Sequence, residues 1–288
     1  MIDLHTHTTA SDGRCAPAEL VARAVAAGVT TLGITDHDTV AACDEVAAAC
    51  SSAGLECVPG IEVTAVLASA DVHVLGYFID TASVRFLDFL AEQRRRRLDR
   101  VAEIVERLHS RCGISLDLQA IVQPGVNDGG KAAGRPWIAR ALVEAGHAAS
   151  TDEAFDRWLG RGRPAFVPRI GADPSEVIAR IHAADGFVSL AHPGLTRVDD
   201  AIPDFAAAGL DAIEAYHSRH DSETTARYLD MARRMGLLVT GGSDFHGDPS
   251  HGPTAPGVVT LPPDEFARIQ ARRRATSRAM ASGSATSS

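Results

Sequence analysis

The first twelve residues, MIDLHTHTTASD, place His5 and His7 one residue apart and follow them with Asp12. On an extended segment side chains alternate faces, so imidazoles at this spacing point the same way. Similar groups recur in GITDHDT (His37), PGIEVTA (Glu62), DVHVLGYF (His73), SLAHPG (His192) and GGSDFHG (Asp244 and His246). A lone histidine is usually a core or surface residue. Nine such side chains, almost all beside the end of a short apolar run, read instead as a ligand set for divalent metal. Imidazole and carboxylate donors without thiolate suit zinc, manganese or iron. Nine donors exceed the capacity of one ion, so two or three ions bridged by a carboxylate such as Glu62 are expected. Ions so held act as Lewis acids on a carbonyl or phosphoryl oxygen and activate water.

Residues spread this far apart need a scaffold that gathers them. Short apolar runs bounded by turn residues read as strands over Ile2–His7, Thr31–Thr35, Glu56–Val63, Asp71–Phe78, Gly186–Ala191, Ala212–Tyr216 and Leu237–Thr240. Ala-rich helical stretches alternate with them: Pro17–Ala27, which opens on proline and stops at Gly28, then Asp38–Ser52 and Pro174–Ala184. Such alternation predicts an α/β fold with a parallel sheet closed into a seven-unit barrel. The carboxyl ends of parallel barrel strands share one face, where the candidate ligands would meet. From Val84 to Pro168 the rhythm breaks: a long helix, a Gly-rich loop around VNDGGKAAG and further helices suggest an inserted helical subdomain. The expected division is therefore a barrel from 1–83 and 169–271, an insert over 84–168 that caps the substrate, and a disordered tail over 272–288.

Composition narrows the function class. The chain of 288 residues is 45% hydrophobic and 23% charged, the balance of a globular protein, and holds no apolar run of membrane-spanning length. No basic segment followed by an apolar stretch opens it, so a cytoplasmic location is expected. The five cysteines include no Cys-x-x-Cys pair and are expected to be buried small apolar side chains. A formal net charge of −9 argues against extended DNA binding, which depends on phosphate neutralisation. Positive charge is nevertheless concentrated between Thr81 and Gly171, with 15 Lys or Arg against 11 Asp or Glu. An anionic ligand is expected there.

Within that stretch, Leu90, Val101, Ile104, Val105 and Leu108 of AEQRRRRLDRVAEIVERL form one helical stripe, with Arg94 and Arg97 inside it and Arg95 and Arg96 facing away. Arg135 precedes a proline that opens a helix, a place where backbone N–H groups favour anions. Arg161 and Arg163 read as loop charge. Asp36 and Asp38 flank His37: Asp36 is assigned to positioning that imidazole or accepting a proton, and Asp38 to capping the next helix. In AIEAYHSRH, Glu214 and His217 end a strand at the same mouth. His217 is assigned to substrate contact first and to protonating the leaving oxygen second.

The motifs DLHTHTTASDG, GITDHDT, GIEV, HVLGYF, AHPG and GSDFHG resemble those of the polymerase and histidinol phosphatase (PHP) family of metal-dependent phosphoesterases, over almost the whole chain to about Pro262. Within it the chain is similar to the stand-alone bacterial branch that includes 3′,5′-nucleotide bisphosphate phosphatases and short-oligoribonucleotide 5′ exonucleases. That resemblance implies a distorted seven-stranded barrel, an inserted helical domain and a manganese-rich site of up to three ions on His5, His7, Asp12, His37, Glu62, His73, His192, Asp244 and His246. It also implies phosphate contacts at Arg97 and Arg100. The family usually reads Gly-Arg-Pro-His where this chain has Trp137, so a histidine role is lost there or replaced by stacking on a base. The expected activity is hydrolysis of small nucleotide phosphomonoesters, with 5′ trimming of short RNA. The alternatives are a histidinol-phosphate or sugar-phosphate phosphatase and, from another class, a binding module without turnover.

Overall fold

Seven strands follow one another around a single sheet in sequence order: β1 (Ile2–Asp3), β2 (Thr31–Ile34), β3 (Glu56–Leu67), β4 (Ala70–Tyr77), β5 (Phe187–Leu190), β6 (Ala212–His217) and β7 (Leu238–Gly242). The computed structural model describes residues 1–68, 70–127, 134–248 and 252–284. All seven expected strands are present. The sheet is not parallel throughout, however: β3 pairs antiparallel with β4, and β4 with β5, while the other sequential pairs are parallel. The reason is the connection. Only residues 68 and 69 separate β3 from β4, and a parallel crossover needs a dozen residues or more.

The barrel closes where the segment after β1 runs beside β7. Leu4 N–H donates to the Gly241 carbonyl at 3.2 Å, Asp244 N–H to His5 at 2.8 Å and His7 N–H to Phe245 at 2.9 Å. Gly242 is needed at this seam, because a Cβ there would lie 2.4 Å from the His5 nitrogen. Asp3, fully buried, accepts from Ser243 N–H at 2.8 Å and Gly257 N–H at 2.7 Å and so ties the seam to the following loop. Burial pushes its carboxyl above the usual range, against the pull of those hydrogen bonds.

Helices α1 (Pro17–Ala26) and α2 (Cys43–Ala53) cover β2, and α2 begins five residues later than the sequence suggests. Next come α3 (Val84–Cys112), α4 (Leu118–Asn127), α5 (Arg135–Glu144) and α6 (Thr151–Ala154), which continues into a π-helical turn at Phe155–Leu159. At the start of α6 the Ser150 hydroxyl accepts from Glu153 N–H at 3.2 Å and the Glu153 carboxylate accepts from Ala149 N–H at 2.7 Å, which caps the helix. The chain then returns to the barrel with α7 (Pro174–His182), α8 (Pro193–Thr196), α9 (Ile202–Ala207), α10 (Ser222–Met235) and α11 (Pro263–Ser284). The Gly-rich stretch expected as a loop lies largely outside the described residues.

Two apolar clusters meet along α3. Phe86, Phe89 and Leu90 pack with Ile61, Val74 and Ile181 of the barrel, whereas Val101, Ile104 and Leu108 pack with Ile138, Leu142 and Leu159. The helical region thus has a hydrophobic core of its own, and the change from one core to the other falls inside α3 rather than at residue 84. A continuous amphipathic helix serves both. The end of the chain also differs from expectation: α11 continues past Ala271 to Ser284. Its Ala- and Arg-rich sequence favours helix, and no Gly or Pro interrupts it before Gly283.

Candidate metal centre

The nine side chains singled out by residue type converge at one end of the barrel. Each parallel strand delivers its residue just beyond its last paired position: His5 and His7 after β1, His37 after β2, His192 after β5, Asp244 and His246 after β7. β4 runs the other way, so the same end of the barrel meets its beginning, which is where His73 lies, opposite Thr64 of β3. Glu62 and Thr64 share a face of β3 with alternation of two.

Glu62 is the hub. Its Oε2 lies 3.2 Å from His5 Nε2, 3.3 Å from His7 Nε2 and 3.2 Å from His37 Nδ1, while Oε1 lies 2.7 Å from His73 Nδ1 and 2.9 Å from His192 Nε2. Asp244 Oδ1 sits 3.3 Å from His5 and 3.2 Å from His7. Asp12 faces His246 at 3.2 Å and His37 at 3.7 Å. The donors fall into overlapping groups compact enough for one cation each: His5, His7, Glu62 and Asp244; His37, Glu62 and His73; His7, Asp12, His37 and His246; and His5, Glu214 and His217. His5 and His7 are shared between groups, which is what their common face provides.

Electrostatics fit a site made for cations. Burial opposes ionisation of Glu62, yet His37, His73 and His5 hold its carboxyl well below the usual range, and His5 and His246 do the same for Asp244. Burial drives His37 down to about 3, against the attraction of Glu62 and Asp12, leaving a neutral imidazole with a free lone pair. His246 goes the other way, to about 10, because Asp12 and Asp244 outweigh its burial. The clearest sign is His7, fully buried with neither ring nitrogen hydrogen-bonded. Its Nε2 faces the carboxylates of Glu62 and Asp244 without hydrogen-bond geometry to either, an arrangement that a cation between the three would satisfy.

Residues outside the nine orient them. Glu214 accepts from His5 Nδ1 at 2.9 Å and from His192 N–H at 2.8 Å. This fixes the His5 tautomer with Nε2 free toward Glu62 and Asp244, the usual carboxylate–imidazole support of a ligand. His192 and Asp244 both adopt left-handed backbone, at φ 25° and 57°, a strain characteristic of functional sites. His217 lies under the cluster, buried, with Nδ1 accepting from Arg219 N–H at 3.1 Å. Its proton is therefore on Nε2, which faces Asp244 Oδ2 at 3.3 Å.

Two expectations fail here. Asp36 touches no histidine: its oxygens accept from Thr8 N–H at 2.8 Å, Thr8 Oγ1 at 2.7 Å and Ser11 Oγ at 2.5 Å. It shapes the turn between His7 and Asp12, where Gly13 also packs too close to His7 to carry a Cβ, and a catalytic part for Asp36 is set aside. Asp38 caps no helix, since α2 starts at Cys43. It accepts from Thr64 N–H at 2.7 Å and pairs with Arg97.

A cationic group flanks the centre beyond His73. Arg97 reaches Asp38 and Thr64, and Arg135 lies 3.3 Å from Asp71. Arg169, which carries no sequence signal because it stands alone between Pro168 and Ile170, lies 3.6 Å from Asp38 and 3.4 Å from Asp71. Burial and the neighbouring Arg97 push its guanidinium down to about 9, so an incoming anion would relieve crowding of like charge. Arg100 donates its Nε–H to the Val167 carbonyl at 2.9 Å. Arg94 is half-buried, whereas Arg95 and Arg96 pair with Glu92 at the surface. Arg161 and Arg163 stand in an exposed loop. Trp137 is only 9% exposed and packs into the core of the helical region, which favours the first of the two alternatives, loss of the histidine role, over ring stacking. The helices roof the centre, leaving a cleft of about 510 Å³ between Asp12, Asp244 and His246 on one side and Arg140 and Phe155 on the other.

Comparison with known proteins places this arrangement in context. Residues 3–123 match the PHP domain. The chain is 36% identical over 253 residues to the 5′-3′ exoribonuclease Rnm of Escherichia coli strain K12, covering 85% of this chain and 84% of that one. It is 31% identical over 274 residues to the 3′,5′-nucleoside bisphosphate phosphatase of Chromobacterium violaceum, covering 91% and 93%. A crystal structure described as a metal-dependent phosphoesterase from Bifidobacterium adolescentis superposes with a TM-score of 0.85 at 33% identity, over 94% of this chain and 95% of that one. No helix among the described residues is long and apolar enough to cross a membrane.

Proposed function

The chain belongs to the PHP family of metal-dependent phosphoesterases, and from that premise we propose that it hydrolyses the phosphomonoester of small nucleotides such as 3′,5′-nucleotide bisphosphates and trims short RNA from the 5′ end. The two relatives named above supply those two substrate classes. The observation that carries the reading is Glu62, whose two oxygens face five imidazoles beside a second, arginine-lined anion site.

His5, His7, Asp12, His37, Glu62, His73, His192, Asp244 and His246 would hold two or three divalent ions; the family resemblance implies manganese, and zinc or iron also suit imidazole and carboxylate donors. Such ions, when bound, polarise the phosphoryl oxygens and lower the pKa of water into the neutral range. The chain's own residues do the rest. Arg97, Arg135 and Arg169, with Arg100 behind them, bind the phosphate that is not cleaved and so fix the nucleotide against the centre. Asp38 and Asp71 hold those guanidinium groups in place before substrate arrives. His217 points its Nε2–H into the centre, where it contacts the reacting phosphate; because its Nδ1 accepts from Arg219 N–H, the ring is neutral and this contact, rather than protonation of the departing oxygen, is its part. The helical region, read as a subdomain inserted into the barrel, covers the substrate and excludes bulk water. A cytoplasmic site of action accords with nucleotide substrates.

Incubating manganese-loaded protein with adenosine 3′,5′-bisphosphate and with histidinol phosphate, and following inorganic phosphate, tests the proposal. Release from the first is expected. Release from the second alone overturns the substrate assignment, and release from neither, with metal bound, restores the non-catalytic reading.

A further inference from the structure

The arginines that face Asp38 and Asp71 lie on one flank of the centre, and the 510 Å³ cleft lies on the other. His37 stands between the two flanks, with ring centroids 5.0 Å from His73 on one side and 6.2 Å from His246 on the other. Helix α5 crosses above both. Arg135 at its start meets Asp71, and Arg140, about 7.5 Å further along the axis, lines the cleft with Asp12 and His246.

Arg14 in this cleft is neutralised by Asp248 at 2.7 Å. Arg140 and Arg219 are different: neither side chain has a hydrogen-bond or ion-pair partner among the described residues, although Arg140 is partly buried. Burial draws the Arg140 guanidinium down, and only longer-range attraction to acids such as Asp12 and Asp248 opposes that. Asp152 and Asp244 are the other acids that line the cleft. Phe155 presents a partly exposed ring to the same space from the π-helical turn, a distortion often found at functional sites. Two unpaired guanidinium groups and an aromatic face beside a metal centre are the parts of a single-strand nucleic-acid groove.

We infer that this cleft binds the part of a short RNA strand that continues beyond the scissile phosphate: Arg140 and Arg219 contact its next phosphate, and Phe155 stacks on its base. The inference rests on the nucleotide reading of the centre. In a bisphosphate and in a strand the same bond breaks. The oxygen of water bonds to phosphorus, the P–O3′ bond cleaves, and the departing O3′ takes a proton. In the bisphosphate that phosphorus carries only terminal oxygens. In the strand it also carries the next nucleotide through O5′, and that nucleotide needs a place on the flank away from the 5′-phosphate. A mononucleotide would make no use of Arg140 or Arg219.

The test compares adenosine 3′,5′-bisphosphate with a 5′-phosphorylated adenosine trinucleotide on wild type, Arg140→Gln and Arg219→Gln. Each variant should lower kcat/KM for the trinucleotide about tenfold, the worth of one charge-assisted hydrogen bond. Bisphosphate hydrolysis should stay within about twofold. In each variant the salt dependence of trinucleotide cleavage should become shallower by about 0.7 in log–log slope, which a structural defect would not produce. Equal losses on both substrates, or none on the trinucleotide, overturn the inference. Should wild type cleave the bisphosphate and leave the trinucleotide intact, the strand site is refuted while the nucleotide reading survives; cleavage of neither refutes both.

Discussion

The mouth of the barrel and its helical roof turn charged side chains toward the same space but hold them differently. At the mouth, His5, His7 and Asp244 sit on backbone tied across the seam between β1 and β7, and Glu62 and His73 on a paired hairpin. Their positions follow from hydrogen-bonded strands. In the roof, Arg135 and Arg140 ride on α5, which packs on an apolar cluster separate from the barrel. The mouth is built for strict donor geometry, which metal demands, and the roof for positive charge, which tolerates a looser fit.

Changes at the mouth should therefore be the more severe, and Glu62→Gln the worst of them. Losing the bridging charge should empty the centre and cut turnover by about 10³-fold, read by metal analysis and steady-state rates. Near-normal metal content and rate would remove Glu62 from the hub. One step outward, Glu214→Gln leaves every ligand in place but loosens His5, and metal affinity measured against a chelator should weaken about 10- to 100-fold. On the roof side, Arg135→Ala should raise KM about tenfold with kcat nearly preserved. A matching fall in kcat would mean that Arg135 acts on the transition state and that the contrast between the regions is too sharp. The smallest effect on the chemistry is expected from Leu142→Ala, in the roof core. It should cost about 2 to 5 kcal/mol in denaturant unfolding of the roof while bound metal is retained; simultaneous loss of metal would show the two cores to be one cooperative unit.

The same contrast governs what is readable in the sequence. His5, His37, Glu62, His192 and Asp244 are legible because each is a donor set beside a strand whose apolar pattern marks its end. His73 stands out by residue type, and its position makes sense only once β4 proves to run in reverse. Arg169 and the pairing of Asp38 are hidden, since they depend on where the chain re-enters the barrel after the helical region, a distance no local pattern encodes. Asp36 misleads for the opposite reason: adjacency to His37 in sequence suggests contact, but neighbours along an extended segment face opposite ways, and its carboxylate turns to Thr8 and Ser11. Trp137 carries no periodic signal that separates a core indole from an exposed one.

Helix α3 has a mechanical consequence. Its 29 residues contain neither glycine nor proline, so it lacks the usual points of bending. Its first turns are clamped to the barrel and its last to the roof. Such a beam resists hinging, so the helical roof and the barrel are expected to move as one piece rather than to open and close like a lid.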